Sequence, residues 1–76
     1  MIAHKWDRDV TVSDSSNISR IQYKVQDRLL EIRFSNGAVY HYENFPEKEF
    51  GNLVSADSVG GYFQQNLISR YRGIKQ

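Results

Sequence analysis

Residues 18–42 alternate apolar and polar side chains in three short runs, and this pattern constrains the fold more than any other feature of the sequence. ISRIQYKV at 18–25 and RLLEIRF at 28–34 place large apolar residues at every second position, and YHY at 40–42 continues the alternation. A period of two is typical of strands with one buried face. We therefore expect a three-stranded antiparallel meander sheet.

The turn before the third strand decides which face of the sheet carries Tyr40 and Tyr42. With a two-residue Asn-Gly turn, both rings would lie on the solvent side. With Ser35–Gly37 as a three-residue loop, Tyr40 and Tyr42 would lie opposite Ile32 and Leu30 and face the core. We favour the second register, because a glycine at the third loop position suits a bulged turn.

Two helices are predicted after the strands. Pro46, with two glutamates in the turn that follows, marks the first position of a helix whose apolar residues are spaced three and four apart. VGGYFQQNLISRY at 59–71 repeats apolar residues every four positions after a capping Asp57 or Ser58, and this helix is expected to end near Gly73. Packed together on the apolar face of the sheet, the two helices would complete an α+β domain.

Residues 1–14 precede this pattern and are interpreted as an N-terminal arm, either flexible or forming an extra edge strand. Residues 9–13 alternate only weakly, which favours at most a short strand. Trp6 is the only tryptophan, and such a large ring more often covers the edge of a core than stays exposed for a partner. Residues 15–76 are expected to form the single folded domain.

The composition excludes several functional classes. Without cysteine the chain has no disulfide, thiol nucleophile or cysteine-based metal site, and its two histidines lack a third ligand nearby. The serines and aspartates fall in loops and helix caps, where turn chemistry accounts for them. We therefore expect no enzymatic activity, no cofactor, no metal and no small-molecule substrate. Apolar runs are too short for a membrane span or signal peptide, so a soluble cytoplasmic protein is expected. We also expect a monomer.

The net charge is +1, from ten lysines and arginines against nine acidic residues, which is far from the basic balance typical of nucleic-acid binders. Residues 70–76 nevertheless carry three bases and no acid. Two interpretations stay open for this tail. Arg70, Arg72 and Lys75 could contact phosphates while Tyr71 stacks on a base, or these cations could offset the dipole of a helix C-terminus.

The solvent side of the predicted sheet carries a second set of basic residues. Lys24, Arg33 and His41 are expected there, and together they could form a positive strip. Glu31 and Glu43 interrupt this strip, and cross-strand ion pairing explains the same pattern equally well.

A set of spaced residues along most of the chain forms a recognisable pattern. Its members are Ser16, Ile18, Ile21, Tyr23, Leu30, Ile32, Phe34, Asn36, Gly37, Tyr40, Tyr42, Phe45, Pro46, Ala56, Ser58, Gly60, Tyr62, Phe63, Leu67 and Tyr71. This pattern resembles the KTSC domain, a small domain named for its occurrence at the C-terminus of some lysyl-tRNA synthetases and also found alone in bacterial and phage proteins. The resemblance covers roughly residues 15–72. Gln64 departs from it, since the family often has asparagine there.

The resemblance implies neither an activity nor a cofactor, and it suggests binding to RNA or to machinery that handles RNA. Our leading hypothesis is a non-enzymatic module that attaches to RNA or to a transcription or translation assembly. The residues predicted to make this contact are Lys24, Arg33, His41, Arg70, Arg72 and Lys75.

The alternative hypothesis is a small phage-type regulator that docks on a host enzyme such as bacterial RNA polymerase. Its contact would be a protein–protein interface, in which buried apolar side chains supply most of the binding energy. Trp6, Val10 and Val12 of the arm are the predicted anchors of that interface.

Overall fold

A computed structural model of the chain describes residues 6–13 and 17–76. These residues form an antiparallel sheet with strands in sequential order, and helices cover one of its faces. The second helix, α2, continues directly into a π-helical segment. The elements are β1 (Arg8–Thr11), β2 (Ile18–Lys24), β3 (Leu29–Phe34), β4 (Val39–Tyr42), α1 (Glu47–Val54), α2 (Val59–Tyr62), the π-helical segment (Phe63–Leu67) and β5 (Ile74–Lys75).

The predicted α+β class is confirmed, but the predicted number of strands is wrong, because the sheet has five strands and not three. β1 pairs with β2 and places Val10 opposite Ile21, so residues 8–11 of the arm form an edge strand. β5 pairs with β4 at the other edge. Strands of four and two residues contain too few alternations to stand out in a sequence pattern. The predicted boundary between residues 14 and 15 lies outside the described residues.

The β3–β4 turn adopts the three-residue loop that we favoured from the sequence. Tyr40 pairs with Ile32 and Tyr42 with Leu30, which confirms the predicted register. Gly37 has a φ of 92°, a conformation that costs glycine little and other residues more. Both tyrosines therefore lie on the helix side of the sheet, although Tyr40 is only partly buried.

The helices begin close to their predicted positions, but the second one ends earlier than expected. Pro46 precedes α1 as its N-cap residue, so the helix starts one residue later than predicted. The Ser58 hydroxyl caps α2 by accepting a hydrogen bond from the Gly61 amide at 3.1 Å. The helical backbone stops at Leu67 rather than near Gly73. No helix within residues 6–13 and 17–76 is long and apolar enough to cross a bilayer.

One apolar core lies between the sheet and the helices. Tyr23 is fully buried at its centre, where its hydroxyl donates a hydrogen bond to the Phe45 carbonyl and its ring stacks on Phe50. The core residues are Val12, Ile18, Ile21, Tyr23, Leu30, Ile32, Tyr42, Phe45, Phe50, Leu53, Val59, Phe63 and Leu67. Among the residues that the structure describes, only the ring of Trp6 covers part of the opposite face of the sheet, where it lies against His41.

Candidate functional site

A groove of about 780 Å³ opens between the β3–β4 hairpin and the end of the second helix. Its volume is in the range of binding sites for small organic molecules. The lining residues that the structure describes combine aromatic rings with side-chain amides, and none of them is charged. The lining residues are Asn17, Phe34, Ser35, Asn36, Ala38, Tyr40, Tyr42, Gln64, Ile68, Tyr71 and Gly73.

The hairpin supplies the aromatic floor of the groove. Phe34 and Tyr40 flank the three-residue loop, and their rings meet edge to face with centroids 5.6 Å apart. Phe63, from the π-helical segment, packs beneath them and contacts Phe34 at 6.1 Å and Tyr42 at 5.6 Å between centroids. The register that turns the two tyrosines towards the helices therefore also builds this floor.

The C-terminal tail closes one end of the groove. After the helix, Tyr71 packs on Phe45 with ring centroids 4.7 Å apart. Gly73 then passes directly over the Tyr42 ring, since a Cβ at this position would lie 2.9 Å from three of its atoms. Only a residue without a side chain lets the tail approach so closely and reach β4 as strand β5.

The hydroxyl of Tyr42 differs from that of the other deeply buried tyrosine. The Tyr42 side chain is only 4% exposed, and burial, with a further contribution from Tyr40, raises its pKa. Among the residues that the structure describes, the Tyr42 hydroxyl has no hydrogen-bond partner. No fully buried polar side-chain atom there lacks a partner, so this oxygen must reach the surface of the groove. The Tyr23 hydroxyl, by contrast, is bonded to Phe45.

Raised phenol pKa values predict a loss of stability in alkali. Burial is the main cause of the raised pKa of Tyr23, Tyr42 and Tyr62, and the Glu49 carboxylate adds to the rise at Tyr62. The unfolded chain then loses these protons at a lower pH than the folded chain does. The contribution of these phenols to the free energy of unfolding is therefore fully present below about pH 10 and falls as the pH rises above it. Urea unfolding monitored by circular dichroism between about pH 8 and pH 11.5 measures this. A constant free energy of unfolding over that range would contradict the prediction.

Two of the predicted basic residues of the open sheet face, Lys24 and His41, are engaged with Trp6 and Glu31. The Lys24 ammonium lies over the Trp6 ring, 4.8 Å from its centroid, and the His41 ring meets the same tryptophan edge on at 5.9 Å. His41 Nε2 is also 2.8 Å from a carboxylate oxygen of Glu31. Arg33 is exposed and, within the described part of the chain, its guanidinium has no ion-pair partner.

The predicted basic residues of the tail lie elsewhere. Arg70 forms an ion pair with Glu49 of α1 at 3.3 Å. Lys75 pairs with Tyr40 at the β5 edge of the sheet, where it also borders a second depression lined by Glu31 and His41. Arg72 lies between two groove-lining residues and, like Lys75, has no ion-pair partner within residues 6–13 and 17–76. The six predicted residues therefore lie on the open face, at the β5 edge and beside the helices, rather than on one continuous surface.

The arm residues of the alternative hypothesis are engaged inside the domain. Val12 is 8% exposed and belongs to the core, and Val10 packs against it. Trp6 is half-buried against His41 and Lys24. These three side chains therefore stabilise the fold and are not presented together as one exposed apolar patch.

Sequence reasoning did not find the groove, although it placed two of its tyrosines correctly. The available signal was the register itself, because Tyr40 and Tyr42 on the helix side must share that side with Phe34. The strand and helix patterns did not indicate that the C-terminal tail would add Tyr71 and Gly73 to the lining of the groove.

The described residues hold no group of three or more histidine, aspartate or glutamate side chains arranged to bind a metal ion. The groove offers a ligand hydrogen bonds from its amides and hydroxyls and contact with its aromatic rings.

Comparisons with known proteins identify the fold. Residues 14–71 match the family model of the KTSC domain. The crystal structure of a KTSC domain protein from Yersinia pestis superposes with a TM-score of 0.80 at 34% identity, covering 91% of this chain and 96% of that one.

Two relatives are similar in sequence. An uncharacterised protein of Stutzerimonas stutzeri is 39% identical over 51 residues, which cover 67% of this chain and 72% of that protein. A protein of Tsukamurella paurometabola is 31% identical over 61 residues, covering 80% and 91%. The match to the family model and the shared fold agree with the resemblance seen in the sequence. The chain therefore belongs to the KTSC domain family.

Proposed function

We propose that this protein is a non-enzymatic module that binds single-stranded RNA in the aromatic groove, either alone or within an RNA-handling assembly of the cytoplasm. One observation carries the proposal. The lining residues that the structure describes are aromatic, amide-bearing or otherwise uncharged and include no carboxylate. The unpaired cation Arg72 lies between the lining residues Tyr71 and Gly73 in the chain, and Lys75 pairs with the lining residue Tyr40.

These groups are the ones that single-stranded RNA requires. Aromatic faces stack on unpaired bases, and each stacked base contributes about 1–3 kcal/mol. Side-chain amides such as that of Gln64 can bond to base edges, while cations outside the groove attract phosphates. Since the net charge is only +1, we expect few phosphate contacts and modest affinity.

The open sheet face suits this role less well. Lys24 and His41 already contact Trp6, and His41 also contacts Glu31, so an RNA chain would have to replace these interactions. Arg33 alone offers an unpaired charge among the three residues predicted there. The groove side therefore offers RNA more unpaired groups than the open sheet face does.

A matched pair of double variants tests where RNA binds. Arg72→Ala with Lys75→Ala removes two positive charges beside the groove, and Lys24→Ala with Arg33→Ala removes two from the open face. We expect the first pair to lower the affinity for a fluorescein-labelled ten-nucleotide oligouridylate about tenfold, and the second pair less than about twofold. Fluorescence anisotropy at about 50 mM salt measures both affinities.

Both double variants change the net charge by the same amount. A general electrostatic effect would therefore lower the RNA affinity of both variants equally. An equal loss in the two variants would overturn the groove assignment. If neither oligouridylate nor oligoadenylate binds the wild-type protein at low salt, the RNA proposal itself fails.

The second candidate is docking on a host enzyme such as bacterial RNA polymerase. It is favoured by Ile68, which lies at the groove and is 47% exposed, a large fraction for an apolar side chain. Purified bacterial RNA polymerase is the appropriate partner for this test. Binding of polymerase that Ile68→Asp abolishes, together with no binding of RNA, would favour docking over the leading proposal.

A further inference from the structure

We propose, building on the RNA-binding function above, that the groove accepts one unpaired nucleobase and that the Tyr42 hydroxyl hydrogen-bonds to the edge of that base. The ligand class is thus a heterocyclic ring with a hydrogen-bond acceptor, a carbonyl oxygen or a ring nitrogen, carried on a ribose phosphate.

The Tyr42 hydroxyl is the feature that points to a ligand. Its side chain is 96% buried, and within residues 6–13 and 17–76 the hydroxyl has no hydrogen-bond partner. Tyr23 and Tyr62 show the usual arrangement, because their hydroxyls bond to the Phe45 carbonyl and to a Glu49 carboxylate oxygen 3.0 Å away. A buried tyrosine ordinarily has such a partner. The oxygen of Tyr42 is directed instead to the surface of the groove.

The surroundings of this hydroxyl favour a flat, uncharged group. Phe34 and Tyr40 provide aromatic surface on the hairpin side, and Ile68 provides apolar surface on the helix side. None of the lining residues that the structure describes is a cation, so a phosphate placed inside the groove would have no charge partner among them. Arg72 lies between the lining residues Tyr71 and Gly73 in the chain, so we place the base inside the groove and the phosphate outside it, towards Arg72.

A second polar group is available for the same base. The Gln64 amide lines the groove, and it makes no hydrogen bond to the residues that the structure describes. The Asn36 side chain is less available, because its Oδ1 already accepts a hydrogen bond from the Ala38 amide at 2.9 Å. Burial raises the pKa of Tyr42, so its hydroxyl keeps its proton at neutral pH and can donate.

The direct test is the variant Tyr42→Phe, which removes only the hydroxyl and keeps the ring that packs on Phe63. Tyr62→Phe is the matched control, since it also removes one hydroxyl, but at a position outside the groove. We expect Tyr42→Phe to weaken the binding of uridine and adenosine monophosphates about 3- to 10-fold, as loss of one hydrogen bond does. Tyr62→Phe should leave the affinity unchanged within about 1.5-fold.

Titration followed by NMR distinguishes this inference from the RNA-binding proposal. Both nucleotides should shift the backbone amide signals of Asn36 and Gly73, while ribose 5-phosphate, which has no base, should not. If the wild type binds the oligouridylate and Tyr42→Phe binds it equally tightly, the RNA-binding proposal is supported and the base site is contradicted. If the nucleotides shift the amide signals of the groove residues but no oligonucleotide binds, the base site is supported and the RNA-binding proposal is contradicted. Equal shifts from ribose 5-phosphate would also overturn the base site.

Discussion

Replacing Phe63 by alanine is expected to lower the free energy of unfolding by about 3–5 kcal/mol, the cost of deleting a buried phenylalanine side chain. Phe63 is 1% exposed and contacts the rings of both Phe34 and Tyr42. A domain of this size has only about 4–11 kcal/mol of stability, at about 0.05–0.15 kcal/mol per residue. The variant should therefore lose a large part of its stability and melt at least about 12 °C lower. Urea unfolding and thermal melts monitored by circular dichroism measure the effect.

Phe63→Leu is the control for this prediction, because leucine restores most of the apolar volume and should cost much less than alanine. If the alanine variant lost less than about 1 kcal/mol, Phe63 would not be the contact that joins the helical layer to the hairpin.

Gly73→Ala is expected to destabilise the protein by about 1–3 kcal/mol, the usual cost of forcing an extra carbon into a packed site. The added methyl group would lie 2.9 Å from Cε2, Cζ and Oη of Tyr42, whose ring is held by Phe63. The tail must then move away, and β5 should separate from β4. Amide hydrogen exchange should show faster exchange at Gln76, whose amide bonds to the Val39 carbonyl at 2.8 Å.

Gly51→Ala is the matched control with the opposite sign. Gly51 lies within α1, and a Cβ there would meet no atom within 4 Å. Alanine favours a helix interior over glycine by about 0.5–1 kcal/mol, so this variant should be more stable than the wild type. If both glycine variants changed stability in the same direction, close packing of Gly73 on Tyr42 would not explain its effect.

The centre of the fold could be predicted because its information is local. The alternation in β2 and β3 marks the buried face, and the position of Gly37 selects the turn that fixes the register of β4. Helix starts are equally local, as the capping by Ser58 shows. Each of these depends on residues a few positions apart.

The edge strands and the groove could not be predicted, because they depend on contacts between residues that are far apart in the chain. Tyr71 continues the four-residue spacing of the second helix, yet in the structure it lies beyond the helix end and packs on Phe45. β5 depends on the fit of Gly73 against Tyr42, a contact between positions 31 residues apart in the chain. The position of Lys75 could not be predicted for the same reason, since it follows from the pairing of the two-residue strand β5 with β4.

Strand β5 links two equilibria, the docking of the C-terminal tail on β4 and the binding of a ligand in the groove. Because residues 71 and 73 form part of the groove, the complete groove exists only while the tail is docked on β4. A ligand that prefers the complete groove must therefore favour the docked tail by the difference in its binding free energy between the two forms. Thermodynamic reciprocity requires that docking of the tail favour the ligand by the same amount. Two residues of β-structure thus make occupancy of the groove and order in the C-terminal segment one cooperative event.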